Sequence, residues 1–271
     1  MMSKTLRASD GSRIGLIAAC PGAPLVLLHG VGMCAEAWAP QIAAFAATRQ
    51  VIALDLPGHG RTDALKGAPS LADYVAWAAR AIAGLDLGPV ALAGHSMGAL
   101  IALGTAIEHP HLVERVALLN PVHKRGPAAR EAVLCRAREL AQGRSDPEAP
   151  LARWFAPHEA PEVRDRVGGW LRAVDADGYA ATYAAFAEGD AVYADRIGEV
   201  RCPTLVLTGE HDANSSPDMT RAIAAGIGNA RAVVIAGARH MVSLTAPDRV
   251  NTELARWLGL PEGAVGGGGT A

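Results

Sequence analysis

Short apolar runs alternate along the chain with longer stretches in which apolar residues recur every three or four positions. The runs at 25–28, 51–54, 90–93, 116–119, 204–208 and 232–235 are almost wholly apolar. Four or five such residues suit a parallel strand covered on both faces. Between them, 74–85, 99–109 and 219–227 carry helical spacing. The alternation predicts an α/β fold, an open and mainly parallel sheet with helices on both sides. Residues 5–8 and 13–18, around Asp10-Gly11, read as an N-terminal hairpin.

The rhythm changes between 121 and 200. Leu134, Ala137, Leu140 and Ala141 keep helical spacing, as do Val163, Val167, Trp170, Leu171 and Val174, and no comparable strand intervenes. The expected organisation is a core built from 1–120 and 201–260, a helical insertion at 121–200, and a mobile tail at 261–271 whose glycine run has little means of packing. The insertion holds Trp154, Phe155, Trp170, Tyr179, Tyr183, Phe186 and Tyr193. These aromatics either line an apolar substrate pocket or form the insertion's own core.

Composition narrows the function classes. Of 271 residues, 50% are hydrophobic and 19% charged, which excludes wholesale disorder. The 25 basic and 27 acidic side chains nearly cancel, leaving no electrostatic footprint for nucleic acid or an anionic membrane. A small-molecule substrate is the expected partner. Cys20, Cys34, Cys135 and Cys202 are scattered without metal-binding or redox spacing. The first residues lack the apolar run of a secretory signal, and no apolar run is long enough to span a bilayer, so a cytoplasmic location is the default expectation.

The chemistry concentrates in Gly94-His95-Ser96-Met97-Gly98, a Gly-x-Ser-x-Gly pattern after a predicted strand and before a helical run. That context predicts a sharp elbow presenting Ser96 as a nucleophile, with the Met97 amide facing a developing oxyanion. A serine hydroxyl needs a base, and the base benefits from an orienting carboxylate.

Three segments together carry a family resemblance: His29-Gly30-Val31-Gly32, then Asp55-Leu56-Pro57-Gly58-His59-Gly60-Arg61, and Gly94-His95-Ser96-Met97-Gly98. In their order the chain resembles the α/β-hydrolase superfamily, particularly bacterial lid-bearing lactonases and esterases such as 3-oxoadipate enol-lactonases. The resemblance implies a mainly parallel eight-stranded sheet with helices on both faces, 121–200 forming a helical lid. It implies that the Val31 and Met97 amides form an oxyanion hole, that Asp212 is the acid and that His240 is the base. Glu210 and His211 are the local alternatives to Asp212, while Asn120, at the preceding strand end, is a neutral amide. His29 and His95 are expected to be structural or to wall the pocket, and the Asp55–Asp63 loop, with Asp55 and His59 in it, to shape the region behind the site.

The implied activity is hydrolysis of a small carboxylic ester or lactone through an acyl-enzyme, a chemistry that needs no metal or organic cofactor. An amidase or carbon–carbon hydrolase acting on a small acidic substrate is the alternative within enzymes, and a noncatalytic receptor the alternative outside them. His123-Lys124-Arg125 lies where the chain leaves the sheet for the insertion. Arg125 is accordingly expected at the pocket mouth, as a carboxylate-binding residue or as part of a solvated hinge.

Overall fold

The computed structural model describes residues 2–8 and 11–261. The expected turn at Asp10 and all but the first residue of the expected tail, 262–271, lie outside the described residues. In chain order the strands are β1 (Met2–Arg7), β2 (Arg13–Ala19), β3 (Pro24–Leu28), β4 (Gln50–Leu54), β5 (Val90–His95), β6 (Val113–Leu119), β7 (Thr204–Gly209) and β8 (Ala230–Ile235). The helices are α1 (Ala39–Phe45), α2 (Leu71–Gly84), α3 (Met97–Glu108), α4 (Pro127–Ala141), α5 (Glu148–Trp154), α6 (Pro161–Ala173), α7 (Ala176–Gly189), α8 (Pro217–Gly226), α9 (Val242–Thr245) and α10 (Pro247–Trp257).

All eight strands form one sheet in the order β1-β2-β4-β3-β5-β6-β7-β8. The β1–β2 and β2–β4 pairings are antiparallel, and every later pairing is parallel. Alternate side chains of a strand point to opposite faces, and two buried layers result. Val26, Leu28, Leu92 and Val116 pack with Tyr74 and Val75 of α2, Leu103 of α3 and Ile223 of α8. On the other face Leu25, Leu27, Ala91 and Leu205 pack with Phe45 of α1 and Leu254 of α10. Burying both faces is why these strands read as continuous apolar runs. Leu27 has no exposed surface, and truncation to alanine there would cost about 2–5 kcal/mol.

The register aligns the carboxyl ends of the central strands. Leu28 pairs with Leu54 and Gly94, His95 with Leu119, and Leu119 with Leu207. In an open parallel sheet this is the edge outside which ligands bind. The four helices α4–α7 leave the sheet after β6 and return before β7, and Leu140, Leu151, Val167 and Leu171 join the apolar layer that covers β3 and β5. At one point the insertion meets the core backbone to backbone, because a methyl group on either Gly58 or Gly178 would overlap the other residue's main chain. Beside it, the Thr182 hydroxyl donates to Gly178 O at 2.8 Å and accepts from Tyr74 at 2.7 Å. No helix among the described residues is long and apolar enough to cross a membrane.

Candidate active site

β5 runs straight into the elbow. Ser96 turns the chain at φ 54°, ψ −114°, an unfavourable conformation for a residue with a side chain. Neighbouring structure holds it there: Ser96 N donates to Leu119 O at 2.9 Å, and Ala99 N donates to Ser96 O at 2.9 Å. A methyl on Gly94 would strike the carbonyl of Gly98, and one on Gly98 the carbonyl of Leu28. The two glycines of the motif are thus a steric requirement of packing strand, elbow and α3 together.

Asp212 lies in the turn after β7 and His240 in the loop between β8 and α9. His240 Nδ1 donates to Asp212 Oδ2 at 2.8 Å, with both side chains buried. That bond leaves Nε2 as the ring's open acceptor. Asp212 Oδ2 also accepts from Asn120 Nδ2 at 2.7 Å, and Oδ1 accepts from the amides of Asn214 at 2.8 Å and Ser215 at 3.2 Å. Burial by itself would raise the Asp212 pKa. The charge of His240 and the bonds from His240, Asn120 and Asn214 outweigh it and hold the carboxyl below its ordinary value. The two local alternatives point elsewhere. Glu210 accepts from Gly237 N at 2.8 Å and is half exposed, and His211 lies exposed beside it. Sequence reasoning saw Asn120 only as a failed carboxylate, whereas it is a donor that supports one.

Three further histidines are buried and neutral. Leu56 N donates to His29 Nε2 at 2.9 Å, and Gly32 N donates to His59 Nε2 at 2.9 Å. Each ring's Nδ1 then donates to a carbonyl, of Gly30 and Pro57 respectively. Burial first of all pushes the pKa of His29 down to about 4 and those of His59 and His95 to about 3. His29 and His59 stitch the Gly30–Gly32 loop to the loop that begins at Asp55. Asp55 itself accepts from Ala35 N at 2.7 Å and Arg61 N at 3.1 Å. In the first loop the Gly32 amide serves His59 and the Met33 amide serves Gly30 O, and Val31 lines the cavity between them. Met97, as the first residue of α3, has an amide without an acceptor within the helix.

Ser96, His95 and His240 open into one cavity of about 640 Å³ whose roof is the insertion. Ser96 and His240 share no hydrogen bond in this conformation, a looseness common before substrate arrives. Trp154, from α5, stacks on the His240 ring with centroids 5.6 Å apart and 29° between planes. Tyr179, Tyr183 and Phe186 of α7 also line the cavity. Some of the insertion's aromatics are therefore pocket wall, while Phe155 is buried in the core.

The expectation for Arg125 needs correcting. It borders the cavity, but its side chain is only 3% exposed and pairs with buried Asp190 at 3.0 Å, its guanidinium lying 4.4 Å from the Phe186 ring centre. Asp190 is 65 residues away in sequence, so the basic run could not announce this pairing. Lys124 does reach solvent, where it pairs with Asp195 at 2.7 Å.

A sequence model described as the alpha/beta hydrolase family matches residues 25–253. The (E)-2-((N-methylformamido)methylene)succinate hydrolase of Acinetobacter baylyi is 50% identical over 95% of this chain and 98% of its own length. Among solved structures, a malate-bound thermophilic esterase from Thermogutta terrifontis superposes with a TM-score of 0.86 at 25% identity, covering 95% of this chain and 98% of that one. The enol-lactonase of Burkholderia xenovorans LB400 gives 0.84 at 25% identity over 94% and 100%. Likeness that runs the full length of a half-identical enzyme reaches the sheet, the insertion and the loops at once: the chain is a hydrolase and belongs to the alpha/beta hydrolase family.

Proposed function

We propose that the chain is a serine hydrolase that breaks an acyl bond in a small, carboxylate-bearing molecule by way of an acyl-enzyme. The observation that carries this reading is the Asp212–His240 hydrogen bond at the edge of a cavity that also receives Ser96 at its strained elbow. His240 Nε2 takes the Ser96 proton as Oγ bonds to the substrate carbonyl carbon, and Asp212 stabilises the imidazolium while remaining ionised. The Val31 and Met97 amides receive the charge on the carbonyl oxygen. Collapse expels the leaving nitrogen or oxygen, to which His240 returns the proton. A water then loses its proton to His240 and attacks the acyl carbon, and His240 returns that proton to Ser96 Oγ as the acid is released. The insertion serves as a lid, with Trp154 covering the base.

Two bond classes fit this sequence of steps. The half-identical relative is named for a substrate whose formamido nitrogen is joined through a methylene carbon to a succinate, which favours an N-formyl amide carried by a dicarboxylate. The likeness to an enol-lactonase and to a malate-bound esterase favours an ester or lactone of a small acid. Both readings share the acidic substrate, and the first has the stronger relative behind it.

Labelling with a small fluorophosphonate, followed by peptide mapping, tests the nucleophile; the adduct is expected on Ser96 and absent from Ser96→Ala. Turnover of N-formyl and N-acyl amides against matched O-acyl esters, each carried on the same dicarboxylate, then decides the bond. Absence of labelling, together with no hydrolysis of either series, would overturn the reading.

A further inference from the structure

Three arginines line the cavity that holds Ser96 and His240, and two of them are already ion-paired within the protein, although Arg125 keeps one buried nitrogen, Nη2, without a hydrogen-bond partner. Arg125 is paired with Asp190 at 3.0 Å and bonded through the same nitrogen to the carbonyls of Phe186 and Ala187. Arg136 is paired with Glu139 at 3.3 Å and donates to the carbonyls of Arg144 and Asp146. Arg153 has no ion pair or hydrogen bond among the described residues. It is nonetheless a cavity residue, next in sequence to the Trp154 that stacks on His240. Arg153 is exposed, so its guanidinium stands at the solvent side of the cavity as a fork of donors without a carboxylate.

A second group points the same way. Tyr183 lines the same cavity, and its hydroxyl has no hydrogen-bond partner among the described residues. Burial raises its pKa, against the opposing pull of Arg153 first and then of Arg125 and Arg136. The phenol therefore keeps its proton at neutral pH and is a donor close to the Arg153 charge. A neutral donor and a free guanidinium form a recognition pair for a carboxylate, while a neutral acyl group would gain nothing from the charge.

We propose that Arg153, seconded by the Tyr183 hydroxyl, is the anchor for the substrate's carboxylate. This rests on the serine-hydrolase reading and moves the acid-binding role from Arg125 to a residue of the short helix α5. Arg125 remains as an internal strut whose charge is answered by Asp190. The anchor also explains why α5 approaches the site so closely: one residue of it grips the substrate while the next covers the base.

The test compares p-nitrophenyl hydrogen succinate with its methyl ester, two esters of nearly equal size that differ by one charge. Arg153→Ala is expected to raise KM for the acidic ester about 10- to 100-fold, the range of a charge-assisted hydrogen bond, with kcat and the neutral ester nearly unchanged. Arg153→Lys, which keeps charge but loses the fork, should recover part of the loss. Calorimetric binding of succinate to Ser96→Ala should weaken by a similar factor when Arg153→Ala is added. Equal losses on both esters, or no loss on the acidic one, would overturn the anchor while leaving serine hydrolysis intact. Should the wild type hydrolyse neither ester and take up no fluorophosphonate, the serine mechanism falls, and undiminished succinate binding in the double variant would then overturn the anchor as well.

Discussion

His95 Nε2 donates to the backbone carbonyl of His240 at 2.9 Å, with the two rings 5.0 Å apart. The residue before the candidate nucleophile thereby fixes the main chain of the candidate base. Since a carbonyl accepts only, His95 carries its proton on Nε2. Its pKa, driven to about 3 chiefly by burial, keeps it uncharged through the working range of pH. His95→Ala should therefore lower kcat roughly ten- to a hundredfold through misplacement of the base, with KM nearly constant. A pH–rate profile checks the role, because a positioning residue leaves the apparent pKa of the base close to its wild-type value.

Asn120 supports Asp212 as a donor, so Asn120→Asp should be worse than a simple deletion. Two carboxylates would then share one buried spot, and one of them would hold a proton. The expected outcome is a loss of roughly a hundredfold in kcat together with an acid limb of the pH–rate profile displaced to higher pH. Asn120→Ala should show the smaller loss. The reverse order would show that the amide does not act on Asp212.

Ser96→Ala should abolish nearly all turnover while leaving Tm and succinate binding close to wild type. Asp212→Asn should lower kcat by roughly hundreds- to ten-thousand-fold, since it disturbs both the tautomer and the charge of His240. Glu210→Gln, which alters only an exposed bond to Gly237, should cost little. Matched steady-state rates for the three variants would detect a reversal between positions 210 and 212.

Acid sensitivity is expected in a defined window. His29, His59 and His95 are neutral in the folded chain down to about pH 4 or 3, whereas in the unfolded chain each gains a proton below about pH 6.5. Between those limits the unfolded state binds more protons, so stability falls as pH falls. Each histidine contributes on the order of 1 kcal/mol per pH unit well inside the window. Urea unfolding at pH 7, 6 and 5 should give steadily lower midpoints, and a flat series would contradict the neutral assignments. The depressed carboxyl of Asp212 adds a loss of the same sign, but only below its ordinary range near pH 4.

The sheet was legible because burial on both faces writes itself as unbroken apolar runs. Each of the six apolar runs lies within a strand, while the hairpin segment 5–8 overruns β1 by Ala8. The apolar run of β6 starts late, at Val116 and not Val113, because exposed Glu114 and half-buried Arg115 interrupt its pattern. The elbow was legible for a steric reason, since no side chain other than hydrogen fits at 94 or 98. What escaped was the roof of the site. α5 spans seven residues with Pro150 inside it, shorter than the window over which a helical period declares itself. It nevertheless delivers Trp154 to His240 and Arg153 to the cavity. Arg125 misled for the converse reason: its neighbours in sequence are basic and polar, and its neutralising partner arrives from the far end of the insertion.

The contact between Gly58 and Gly178 bears on how such enzymes are recombined. An insertion grafted from a relative brings its own pocket lining, yet it must first seat on this core, and at that spot there is room for main chain alone. Compatibility of a graft thus hangs on hydrogen atoms at two positions more than on the chemistry of the transplanted helices. A donor with any other residue at the position of Gly178 would lift α7 off the loop at Pro57 and carry Tyr179 and Tyr183 out of register with Ser96. Chimeras cut after Thr182, leaving 176–182 native, keep that seat and exchange the rest.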